Sequence, residues 1–97
     1  MSTPLRWTCP SSYASLQALA EEAGIHSYEY RALVDDTDPT SSVVSLHWAD
    51  ESTSQAFFRA DLDQVSPPVR TFFAEAVHVM AASVERDYLN VMQQRNV

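Results

Sequence analysis

No lysine occurs anywhere in this chain, so all six of its permanent cations are arginines, set against thirteen acidic residues for a net charge of -7. A field of that sign repels bare nucleic acid and speeds encounter with basic surfaces. Cys9 is the only cysteine, which excludes an intrachain disulfide, leaves stability to packing and suits a reducing compartment. Gly24 is the only glycine, so a glycine-rich phosphate loop is excluded. No stretch approaches the ~18 consecutive apolar residues of a membrane span. Residues 1–10 lack the charged start and apolar run of a signal peptide. A cytoplasmic location away from the membrane is the expectation.

What is present argues for an ordered globular protein: 45% of the residues are hydrophobic and ten are aromatic. At 97 residues the chain has room for one domain, residues 1–97, with 1–10 expected to form an N-terminal arm. Size scaling gives a folded surface of about 5,600 Å² against about 15,800 Å² unfolded, enough for one modest core.

Pro10, Ser11 and Ser12 offer a stop for the arm and a serine cap, after which Tyr13, Leu16, Leu19, Ala20 and Ala23 recur at helical spacing. A first helix is expected over 12–23. Gly24 stands where a left-handed C-cap is wanted, with Ile25 folding back on the last turn. From 27 to 34 the period falls to two, with Tyr28, Tyr30, Ala32 and Val34 on one side, which predicts a strand. The run from Asp35 to Thr40 reads as a turn. Val44, Leu46 and Trp48 alternate in a second strand, 50–54 reads as a polar turn, and 55–60 as a third strand closing an antiparallel hairpin. Ser66 with Pro67 and Pro68 starts a last helix that runs to about residue 94.

The expected fold class is therefore α+β: a short N-terminal helix, a three-stranded antiparallel sheet and a long C-terminal helix packed on it, in the order α-β-β-β-α. That last helix, roughly 40 Å long at 1.5 Å per residue, should overhang its own sheet. Phe72, Val79, Leu89 and Met92 lie off its main apolar stripe. They are to be covered either by the first helix and the arm, through Leu5 and Trp7, or by a partner.

Residues 16–33 resemble the helix-turn-helix segment of DNA-binding regulators, with small Ala20, Gly24 in the turn, Ile25 after it, and Tyr30 and Leu33 in the second helix. The resemblance covers about a fifth of the chain and implies base contacts from His26, Ser27, Tyr28 and Glu29. Only Arg31 there could neutralise phosphate. The charge balance therefore favours a helix, a glycine cap and a strand, and makes direct nucleic-acid binding a minor alternative.

Nothing in the sequence assembles a catalytic constellation. His26, His47 and His78 share no helical metal-pair spacing, Cys9 has no histidine placed beside it, and no serine lies in a nucleophile elbow. Asp35, Asp36 and Asp38 crowd one loop without the glycine turn and distant glutamate of a calcium loop. The chain is accordingly expected to be no enzyme and to need no cofactor or metal.

The sequence points instead to contact: an acidic protein that inhibits or regulates a larger target with a basic surface by steric and electrostatic blockade. Phage-encoded inhibitors of host defence such as anti-CRISPR proteins, and toxin-neutralising immunity proteins, are analogues in size and charge. The expected partner-binding residues are Asp35, Asp36, Asp38, Asp50 and Glu51, with Trp7 and Tyr88 as aromatic anchors. Trp48 is equally suited to the core. A homodimer or accessory subunit pairing through the C-terminal helix is the alternative.

Overall fold

The computed structural model describes the backbone of residues 2–95 and the side chains of residues 2–83. The observed order is β1 (Ser2–Pro4), α1 (Leu5–Thr8), α2 (Pro10–Glu22), a 3-10 turn (Ser27–Glu29), β2 (Arg31–Asp36), β3 (Ser41–Trp48), β4 (Glu51–Phe58), α3 (Arg59–Gln64) and α4 (Pro67–Arg95). The class is α+β, but the sheet has four strands in the order β1-β2-β3-β4, every neighbouring pair antiparallel.

The fourth strand comes from residues expected to form a loose arm. Ser2, Thr3 and Pro4 pair with Asp35, Val34 and Leu33, and Leu5 behind them is wholly buried. Three residues carry too little pattern to announce a strand; the pairing is supplied by β2 across the sequence. Helix α2 starts at Pro10, where a missing N–H costs nothing. Ser12 is therefore no cap. It is buried in the first turn, its hydroxyl donating to the Leu62 carbonyl at 2.5 Å.

The helix end follows the sequence. Gly24 has φ 77, the Gly24 N–H donates to the Glu21 carbonyl and the Ile25 N–H to the Ala20 carbonyl, and Ile25 is buried. This is a Schellman cap, and only glycine takes that backbone angle without strain. No second helix follows. The chain makes a single 3-10 turn and enters β2 at Arg31, later than the strand start expected at residue 27.

Strand β4 also differs, starting at Glu51 and absorbing the run read as a polar turn; the connection is only Ala49 and Asp50, with Ala49 left-handed at φ 49. Residues 59 and 60, expected to end that strand, instead open the short helix α3, whose only buried residue is Leu62.

One face of the sheet carries the core. Val34, Val44, Leu46, Trp48 and Phe57 point to it, met by Leu16 and Ala20 from α2 and by Val69, Phe73, Ala76, Val77 and Met80 from α4. Phe72, off the main stripe in sequence, is buried as well, edge-on to Phe57 with ring centroids 5.4 Å apart. Val79 is not; it remains 48% exposed. Leu89 and Met92 lie outside the described side chains. The opposite sheet face bears no helix-sized core: Arg31, His47, Ser54, Ala56 and Phe58 on it are all exposed.

Helix α4 packs chiefly against α2 and only lightly against β4. With 29 residues it is roughly 44 Å long at 1.5 Å per residue, so it runs past the sheet. The molecule measures 55 × 25 × 19 Å and exposes 6397 Å², more than the compact value for its mass. No helix among the described residues is long and apolar enough to cross a membrane.

Candidate functional site

The acidic residues singled out in the sequence fall into two groups. Asp35, Asp36 and Asp38 lie at the β2–β3 turn, and Asp50 and Glu51 at the β3–β4 turn. The eight residues of β3 separate them by roughly 26 Å at about 3.3 Å per residue. They do not form one edge.

Asp36, Asp38 and Glu51 are engaged within the fold through hydrogen bonds of known partner. Asp36 accepts from the Ser42 hydroxyl at 2.6 Å and from Arg59 Nη1 at 3.3 Å. Asp38 Oδ1 accepts from the Thr40 N–H, the Thr40 hydroxyl and the Ser41 N–H, all within 2.9 Å. Those bonds, led by Thr40, hold the Asp38 carboxyl below the usual aspartate range. Glu51 Oε2 accepts the indole N–H of Trp48 at 2.8 Å. The first two carboxylates lock a hairpin; the third orients a ring.

Of the expected aromatic anchors, Trp7 is 72% exposed, with the Arg6 guanidinium 5.5 Å from its ring centroid. Trp48 is buried. Tyr88 lies outside the described side chains, as does the rest of α4 from residue 84 on, part of the helix through which pairing was expected.

Arg59 is a residue the sequence did not flag. Its guanidinium reaches the Thr8 carbonyl at 3.2 Å, Asp36 at 3.3 Å and Asp63 at 3.6 Å, clasping the N-terminal segment to β2 and α3. Cys9 sits beside this clasp. Burial pushes its thiol pKa up, Arg59 pulls it back in part, and Asp63 and Asp36 add to the rise. The thiol therefore stays protonated and poorly nucleophilic. Among the described residues no group of three or more histidine, cysteine or acidic side chains could hold a metal ion.

The feature best shaped to receive something is a crevice of about 360 Å³ between α4 and the start of β4. Trp48, Phe72, Ala76 and Val79 provide its apolar surface, Ser52 and Thr53 its hydroxyls, and Glu51 and Glu75 its charge. No cation lines it. The inner side of β4 is only partly covered there: Gln55, which points to the core face, is exposed, Thr53 is half-buried, and only Phe57 on that strand is buried. The sequence signal for it was the pair Phe72 and Val79, off the main stripe of the helix. Glu75 and Thr53 carried none.

A second depression, of about 310 Å³, is lined by Arg6, Arg31, Tyr13, Tyr28 and Tyr30 among others, with no acidic residue. The Tyr30 hydroxyl lies wholly buried beneath it, without a well-formed hydrogen bond. Burial, the adjacent Tyr13 hydroxyl and Glu21 push its pKa up to about 12. Shut off from solvent, that hydroxyl has the Tyr13 hydroxyl as its polar neighbour and is not open to a ligand.

Compared with protein-family models, with curated proteins and with solved structures, the chain matches none.

Proposed function

We propose that this protein is a binding module that regulates or inhibits a larger partner by occupying a basic region of its surface. The observation that carries the reading is the crevice between α4 and β4: apolar within, flanked by Glu51 and Glu75, and without a cation among the described residues, in a chain of net charge -7. An apolar pocket with same-sign charges at its border suits an anchor side chain flanked by arginine or lysine. The acids at the far β2–β3 turn contribute to the long-range field that steers approach, since Asp36 and Asp38 are committed to the fold.

The test is retention of lysate proteins on the immobilised chain at low and at high salt, with the Glu75→Arg variant alongside. Glu75 is exposed on α4, so the variant should keep the wild-type circular dichroism and melting temperature. The expected result is a basic protein held at low salt, released at high salt, and lost with Glu75→Arg. Retention indifferent to both salt and the variant would refute the reading.

A further inference from the structure

Strand β4 ends the sheet, and its outer edge carries no neighbouring strand. Folded proteins usually blunt such an edge with lysine, proline, a bulge or a short strand. The other edge, β1, follows that rule, being three residues long and ending in Pro4. Strand β4 carries a single charge, Glu51 at its start, and otherwise follows none of it. Its eight residues pair with β3 without interruption from Glu51 to Phe58, and they include no proline and no basic residue. Small and polar side chains from Ser52 to Ala56 keep both flanks of the edge low.

The crevice runs alongside this edge. Thr53 and Gln55 face the same side as Trp48 and Phe57, because Leu46 pairs with Thr53 and Val44 with Gln55. A strand laid against β4 would therefore point alternate side chains toward the space bounded by Trp48, Phe72, Ala76 and Val79. The side chains near its end would meet Glu51 and Glu75.

We infer that β4 is a docking edge, at which an extended segment of a basic protein partner adds a fifth strand and sets an apolar side chain into the crevice. The inference deepens the binding-module reading and rests on it. Charge selects the occupant. Glu51 and Glu75 favour flanking arginine or lysine, whereas a second copy would bring its own Glu51 and another seven negative charges to the same edge. Main-chain bonds along β4 would supply affinity and the crevice specificity, as in other strand-addition complexes.

The probe is a capped seven-residue peptide of alternating valine and arginine, used with the full chain at low salt. Two further versions are N-methylated on alternate residues, one on the valines and one on the arginines. An added strand turns only alternate amides toward β4, so one methylated version should bind at least about tenfold more weakly, while the other stays within about twofold of the parent. The parent peptide should also slow amide exchange from Glu51 to Phe58 and leave β1 unchanged.

If both methylated peptides bind like the parent, strand addition is wrong while the basic-partner reading stands. If no version binds at low salt, both are wrong. A dimeric mass with protected β4 amides in the absence of peptide would show that a second copy owns the edge, and would overturn the inference.

Discussion

The two edges of one sheet are treated in opposite ways. On the β1 side, three residues are backed by the fully buried Leu5, and the Arg59 guanidinium holds the Thr8 carbonyl a few residues on. On the β4 side, eight residues run in full register with β3, and among the described residues no strand pairs beyond them. Helix α4 packs on α2 and meets β4 at Phe57, and the start of β4 forms one wall of a crevice. One edge of the sheet is thus short and backed by the core, and the other is long and open, which is the contrast the proposed docking edge rests on.

The contrast is broken most severely at Leu5. Leu5→Ala removes a wholly buried side chain behind β1, and should cost about 2–5 kcal/mol in urea unfolding. Amide exchange along β2 should rise at the same time, because its outer neighbour is loosened. A loss below about 1 kcal/mol would mean that the N-terminal segment is ornament and the sheet effectively three-stranded.

A smaller effect sharpens the same side. Tyr30 leads into β2 with a buried hydroxyl beside that of Tyr13, so Tyr30→Phe should shift stability by no more than about 1 kcal/mol at neutral pH. Its pH dependence has a definite sign. The unfolded phenol loses its proton near 10, whereas the folded one holds it to about 12, so the wild-type chain loses stability as pH rises across that interval. Tyr30→Phe should lack this loss. Parallel alkaline unfolding curves for the two proteins would contradict the assignment.

The smallest effect lies where β4 begins. Ala49 takes the left-handed angle at the head of a two-residue turn, a position glycine fills without steric cost. Ala49→Gly should stabilise the β3–β4 hairpin by about 0.5 kcal/mol, after the greater flexibility of unfolded glycine is subtracted. The melting temperature would register it, and a decrease would show that the side chain has a role in the turn.

Some signals written in one residue survived into the structure, though the serine cap expected at Ser12 is not formed. Gly24 caps α2 because a left-handed angle leaves few alternatives, and Pro67 opens α4 because a first turn tolerates it. Signals that depend on distant pairing did not. Ser2–Pro4 become a strand only because β2 lies beside them. Ser52, Thr53 and Ser54 read as a turn because a bare edge strand has no need of the alternation that burial imposes on β3. Helix α3 hides for a related reason: Leu62 is its one buried residue, too few to show a period.

The candidate site was legible in its chemistry more than in its place. An excess of carboxylate and an unabsorbed Phe72 and Val79 were visible in the sequence. Which carboxylates stand beside them was not, since Glu75 and Glu51 are brought together by the packing of α4. Asp36 and Asp38 looked equally available and turned out to be fasteners.

The two tryptophans give the molecule a built-in optical contrast. Trp7 stands 72% exposed in water, open to any soluble quencher, while Trp48 is 7% exposed with its N–H tied to Glu51 in the crevice wall. With Trp7 replaced by phenylalanine, the remaining indole emission would come from the crevice alone, so that an arriving side chain is seen as a change in colour and brightness without any attached dye.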